Sequence, residues 1–541
     1  MEEVMDNVTV KSDRENLDCF NSSYVLEPVP TREFTLMESV FAWFCLLFGY
    51  LFCRVFPVVS SPLGGFLFIL FVYVSTTIIL KIKKVEFGVI SIVTAVSAII
   101  ISATLVFSSN SLLHFYAYIY ALATYFFYIQ RAMGNYTQKA FSDLILLDYF
   151  KALFKLPFTS LGNFFKAMFY GKAREGGKVI ARLLLGIAIA IIPTGIVISL
   201  LSYDSGFSSI MGNMLDFSFG NIFSHTISLL IAIPIGDYVF GAFISSVDKK
   251  NSNILSVEEF ESRKEERRVA PVLTVLVAVV PLLVVYIIFF VSQWKYYISG
   301  FTGNLPEGVS YAQYAREGFF QLCTVSVINL IVILLVTCFM NMEKKYGKVI
   351  LKSLSIVFSV FTLILISTAI AKMAMYIECY GLTPKRVYST WFMIVLTIIF
   401  ILIIVKQFVP KLNALAASMS VFIVMFAVMA LSNVDGFIAR YNINRYLDGS
   451  LKKLDVYALA KLGDEAVPEM VRLAEEFEKI YHTNIVDIND SYEVEDRVYY
   501  RLAAELGEIA KDFEKEEKDF FSYTIPYIRA KQALERIGLI N

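Results

Sequence analysis

Apolar residues fill long unbroken runs over the first 432 positions, then give way to a rhythm of one apolar residue every three or four. About eleven runs of 17 to 25 residues can be drawn, near 37–53, 62–80, 87–107, 112–130, 183–203, 222–246, 270–293, 319–341, 350–371, 388–405 and 413–432. Each is long enough for a helix to cross roughly 30 Å of hydrocarbon, where every backbone N–H and C=O must bond within its own segment. The pattern predicts an all-α fold: a polytopic membrane helix bundle of about eleven spans. After Ser432 the helical period continues through LDVYALAKLG, DEAVPEMVRLAEEFEKIY, VEDRVYYRLAAELGEIAKDFEKEEKDFFSY and IPYIRAKQALERI, which predicts an all-helical soluble domain. Leu462, Val467, Met470, Leu473 and Phe477 make one apolar stripe, and Asp464 stands where it would cap the helix that Pro468 enters. The expected organisation is a polar tail over 1–34, a bundle over 35–432 and a soluble domain over 433–541.

Composition agrees with the pattern. The chain is 57% hydrophobic and 18% charged, where a soluble chain carries about 25% charged residues. Net charge is zero, so no general attraction to nucleic acid is expected. Six cysteines show no metal-type spacing and no disulfide framework, and no motif calls for a cofactor. About 33 polar residues precede the first apolar run, the wrong order for a cleaved signal peptide, so the first span is expected to direct insertion.

Basic residues near span ends stay preferentially cytoplasmic. With the N-terminus inside, the inner segments hold 27 Lys and Arg against 6 on the outer side before the tail. That asymmetry, with an odd number of spans, predicts a C-terminal domain outside a bacterial cytoplasmic membrane. The domain carries 22 acids against 15 bases, so charge does not favour its binding to anionic headgroups. Residues 144–170 mix Lys151, Lys155 and Lys166 with Phe150, Phe154, Phe164 and Phe165, and are interrupted by Pro157 and Gly162. They read either as an interfacial segment whose aromatics enter the acyl boundary or as an inner loop packed on the bundle. The charged run over 247–268 reads as a solvated inner helix.

Three polar blocks flank spans: SGFTGNLPEGVSYAQYAREGFF (299–320), ECYGLTPKR (378–386) and NVDGFIARYNINRY (433–446). On the expected topology all three share the outer face. Within them, YAQYAREGFF, YGLTPKR, and ARYNINRY followed by LDVYALAKLGDEAVPEM make the chain resemble the bacterial multi-span membrane proteins of domain of unknown function 4173, related to domain of unknown function 4153. The resemblance covers roughly residues 180–480. It implies a multi-span bacterial membrane protein of unestablished activity and lends no catalytic residues.

Read from the residues, Tyr314, Arg316 and Glu317 at one span entrance, Glu378 and Arg386 around a turn, and Asp435, Arg440 and Asn442 at a span exit form a candidate outer-face polar cluster. Charges at a membrane boundary need partners or water, so the cluster is either a salt-bridged collar that locks bundle to tail, a ligand site, or part of a transport path. Deeper in the spans, Glu38, His225, Asp237 and Lys372 are the ionisable residues. Asp237 follows IPIG, where a Pro and a Gly can free backbone groups to line a cavity or merely mark a kinked helix end. His225 reads as hydrogen-bonded to a neighbouring helix.

Hydrolase, kinase and phosphate-loop signatures are missing, and no repeated halves with matching broken helices mark a transporter. The expectation is a non-catalytic envelope sensor or accessory scaffold, with membrane lipids and an envelope protein as partners. The alternatives are a transporter of a small solute or lipid, and a membrane-embedded enzyme that modifies lipids or cell-wall precursors.

Overall fold

A computed structural model describes residues 32–55, 61–137, 145–169, 219–249, 265–292, 319–342, 345–481, 497–515 and 519–540, with single positions 186, 197, 201, 259 and 262. Among these residues ten helices are long and apolar enough to cross a membrane. They are α1 (Leu36–Val55), α2 (Pro62–Ile82), α3 (Val89–Ser102, continued by Thr104–Phe107), α4 (Ser111–Ala132), α5 (Phe219–Val247), α6 (Val272–Ser292), α7 (Phe319–Phe339), α8 (Lys345–Tyr380), α9 (Pro384–Phe408) and α10 (Ala414–Leu431). Apart from the single positions 186, 197 and 201, the run expected at 183–203 lies outside the described residues. The chain folds as an all-α polytopic bundle, and among the described residues the only β pairing is a single bridge between Ala270 and Met340.

Contacts at the helix ends define two faces of the bundle. At the lower end Arg32 reaches both Glu38 and Asp248 at 2.9 Å, and Lys83 reaches Glu38 at 3.2 Å. At the upper end Arg54 donates to Ser224 Oγ at 3.0 Å, and Tyr50 OH meets His225 Nδ1 at 2.7 Å. Helices α1 and α5 are therefore antiparallel. They approach so closely at Gly49 that a Cβ there would lie 2.5 Å from the Ala232 carbonyl oxygen. Met168, bonded to Ser39 Oγ at 3.2 Å, is at the lower end, whereas Ser224 is at the upper one.

The apolar interior forms two clusters. One joins α1 to α5 with the upper part of α10, and the other joins α6 to α9. Inside the second, Tyr286 OH donates to Asn329 Oδ1 at 2.6 Å, and Asn329 Nδ2 donates to Thr362 Oγ1 at 2.9 Å. Such a buried thread ties α6, α7 and α8 together where hydrocarbon offers no competing partner, each bond contributing about 0.6–2 kcal/mol.

Residues 145–168 fold as short helical pieces on the lower halves of α1 and α5. Phe164 is fully buried and packs 5.9 Å from the Phe240 ring, and Phe165 is partly buried, while Phe150 and Phe154 stay exposed. Asp237 accepts the Gly162 backbone N–H at 3.0 Å, at the N-terminus of the helix Asn163–Met168. Helix α5 runs on without a break through Pro234 to Val247, so the Pro-Gly pair opens no gap in it.

Beyond Ser432 the chain forms α11 (Val434–Leu447), α12 (Val467–Tyr481), α13 (Arg497–Lys515) and α14 (Ile525–Arg536). Their apolar faces close around Ile443, Met470, Leu473, Leu502 and Leu534, all fully buried. Val467 and Phe477 of the expected stripe are buried too, and Leu462 partly. These helices sit on the upper face.

Candidate functional site

The upper face is held by a polar seam whose parts come from three places in the sequence. The first is the loop Ser108–Asn110 between α3 and α4. Asn110 Oδ1 accepts the N–H groups of Leu112 and Leu113 at 3.0 and 3.3 Å and so caps α4. His114, one turn on, bonds through Nε2 to the Ser108 carbonyl at 2.7 Å and fixes the loop from below. The second is the start of α11, where Asn433 Oδ1 accepts the Gly436 N–H at 3.1 Å and sets Asp435 in the first turn. The third is the turn Gly463–Glu465 that leads into α12.

Two carboxyl groups meet there. Asp435 and Glu465 are 3% and 4% exposed. Glu465 Oε1 accepts from Ser108 Oγ at 2.6 Å and from the Ser109 N–H at 2.8 Å. Asp435 Oδ2 accepts from Asn110 Nδ2 at 2.8 Å, whose other proton goes to Tyr388 OH at 3.2 Å. Burial raises the pKa of both acids, that of Glu465 to about 7, and the neighbouring Asp435 adds to the rise. Asp435 Oδ1 has no donor among the described residues. The Glu465 carboxyl neighbours it, and repulsion between the two acids favours the pair keeping a proton.

A second joint lies beside the first. Asn442 of α11 accepts the Leu382 N–H at 2.7 Å and donates to the Leu382 carbonyl at 2.9 Å, pairing with that backbone as a β-strand neighbour would. Gly381, at φ +73°, makes the approach possible, because a Cβ there would collide with Asn442 Oδ1. Arg386 donates to the carbonyls of Tyr380, at 3.1 Å, and Gly381, with its guanidinium 4.0 Å from the Tyr376 ring centroid. Arg445 reaches the Ile377 carbonyl at 3.2 Å. The Arg386 bonds satisfy carbonyls that the end of α8 leaves open, whereas the Ile377 carbonyl also accepts the Gly381 N–H at 2.8 Å.

The proposed members of the outer cluster thus fare differently. Tyr314, Arg316 and Glu317 lie outside the described residues. Asp435, Asn442 and Arg386 are brought to one face but bind backbone and neutral side chains rather than one another. Glu378 is exposed at the end of α8. Arg440 turns to the tail, bonding Glu469 at 2.7 Å, and Arg472 joins it at 2.8 Å. His225 and Asp237 are bonded to Tyr50 and Gly162 at opposite ends of α5, away from the seam.

Sequence reasoning missed Ser108, Asn110, Tyr388, Glu465 and Arg445. Asn110 had a readable signal, an N-cap residue directly before an apolar run. Glu465 had only its place in DEAVPEM, where its neighbour Asp464 drew the capping assignment. No three His, Cys, Asp or Glu side chains gather as a metal-holding group among the described residues.

No curated protein and no solved structure matches the chain. The family model described as Domain of unknown function (DUF4153) matches residues 92–473, a stretch that begins within α3, contains all three parts of the seam and ends within α12. The description assigns no activity. The loop, the carboxyl pair and the Asn442 joint are therefore family territory, and this multi-span membrane protein belongs to the family Domain of unknown function (DUF4153).

Proposed function

We propose that the protein is a non-catalytic sensor or accessory scaffold of a bacterial cell envelope. Its helical tail stands outside the cytoplasmic membrane, coupled to the bundle through the seam. Kinship with domain of unknown function 4173 belongs to the same reading. One observation carries it: the buried polar groups at the upper face are engaged with one another across bundle and tail, in the manner of a joint. Asp435 and Glu465 answer to Ser108, Ser109 and Asn110, and Asn442 answers to Leu382. A ligand reaching the carboxyls would have to displace hydrogen bonds already made. A joint of this kind transmits displacement of the tail to the ends of α4, α8 and α9, which suits a sensor or a platform for an envelope protein.

The test is hydrogen–deuterium exchange on the full-length protein in nanodiscs. Coupling predicts that Glu465→Gln alters protection in Ser108–Asn110, Leu382 and α11 together. Changes confined to the Gly463–Glu465 turn would contradict it. Solute uptake by proteoliposomes would move the assignment to transport, and chemical modification of a lipid or cell-wall precursor would move it to catalysis.

A further inference from the structure

Between the upper halves of α1, α2 and α4 lies a cavity of about 100 Å³, lined by Phe48, Phe52, Phe68, Val72, Ile119 and Leu122 among others. Its base is a hydroxyl zipper. Tyr73 OH donates to the Ala121 carbonyl at 2.9 Å, and Thr76 Oγ1 meets Tyr125 OH at 2.9 Å. Below this level α2 and α4 are stitched together, and above it they part. Tyr118 bridges the opening towards α2, its ring end seated against Gly65 where a Cβ would overlap the hydroxyl. The lining is hydrocarbon, because the hydroxyls of Tyr73 and Tyr125 are turned to their own partners.

The floor and the lip differ in exposure. Phe48, Ile69, Val72 and Ala121 are buried, whereas Phe115, Ile119 and Leu122 are exposed on the outward side of α4. The cavity therefore opens sideways, onto the same surface that the span presents to the membrane. Anything entering must come through hydrocarbon, so water and polar solutes are excluded by route as well as by lining. Dry apolar cavities of roughly 150 Å³ take guests the size of benzene. This one has room for a few methylenes and none for a fused-ring lipid. The tail reaches the same level: Phe521 Cβ lies 3.5 Å from where a Cβ would stand on Gly64, and Phe520 and Phe521 remain exposed.

We infer that the cavity is a binding site for one acyl chain of a phospholipid in the upper leaflet. The chain enters past Ile119 and Leu122 and lies on the Phe48 and Val72 floor, beneath the point where the tail leans on α2. Unlike the seam, the site uses no charge and recognises a flexible aliphatic chain by shape.

Photo-crosslinking tests it on the full-length protein in nanodiscs, with a phosphatidylcholine carrying a mid-chain diazirine and peptide mapping of the adducts. Leu67 and Phe71, exposed on the outer side of α2, serve as markers of ordinary lipid contact. The expected result is labelling of the floor residues Ile69 and Val72 at yields comparable to these markers, despite their burial. In Val72→Phe, which fills the cavity, floor labelling falls several-fold while that of Leu67 and Phe71 holds. Should Val72→Phe fail to fold, Ala121→Leu narrows the same space from α4. Markers labelled without the floor, or floor labelling undiminished in a folded filling variant, overturns the assignment.

Discussion

At Glu465 the sign of the pH effect follows from burial. Its pKa is raised from an ordinary 4.5 to about 7, so the folded protein keeps a proton that the unfolded chain releases over this window. Stability from this group is complete below about pH 4.5, declines as pH rises towards 7 and is flat above it, by up to about 3 kcal/mol. Thermal unfolding in nanodiscs at pH 5 and pH 8 should show the lower midpoint at pH 8, and Glu465→Gln should remove most of the difference. Asn442→Ala leaves both backbone groups of Leu382 unpaired in a buried position, which costs about 2–4 kcal/mol. Denaturant unfolding measures that loss, and Gly381→Ala should reproduce part of it through the φ of +73°. From sequence, Asp435, Arg386 and Asn442 were legible as polar residues at span ends. The partners of Asp435 and Asn442 were not, because Asn110 lies 325 residues from the first and Leu382 lies 60 from the second, and only folding makes them neighbours.

Helix boundaries were legible where the apolar run and the helix end for the same reason, as in α2, α6 and α10. In α8 they diverge. Lysines at 345, 348, 352 and 372 frame the apolar run over 350–371, yet nothing stops the helix until Gly381, and α8 extends over 36 residues, about 54 Å at 1.5 Å per residue. Its ends project beyond the hydrocarbon, and this brings Ile377 and Leu382 up to α11. Close packing was equally illegible, since Gly49 in an apolar run says nothing of which backbone faces it. Gly49→Leu should force α1 and α5 apart, because the Ala232 backbone cannot retreat as a flexible side chain can. Overpacking of this kind costs about 1–3 kcal/mol, to be read as a lowered melting temperature, with loss of the Tyr50–His225 contact at the upper end.

For the whole molecule, the lower and upper contacts make side assignment a single binary choice. In a background with the native cysteines replaced, Lys84→Cys and Ser450→Cys should react with an impermeant maleimide from opposite sides of the membrane, the latter on intact cells. Both reacting from one side would break the alternation of span ends. The spans themselves were legible, because an apolar run is a local property of the chain. The division of the interior into two apolar clusters was not, because all spans share one composition. Finally, the Ser108 to Glu465 bond joins positions 357 residues apart. At ribosomal rates of about 5–20 residues per second, the serine loop emerges some 20–70 s before its carboxyl partner exists. During that interval the Ser108 and Ser109 donors lack the carboxylate they meet in the folded protein, so the joint between bundle and tail closes only after most of the chain has been made.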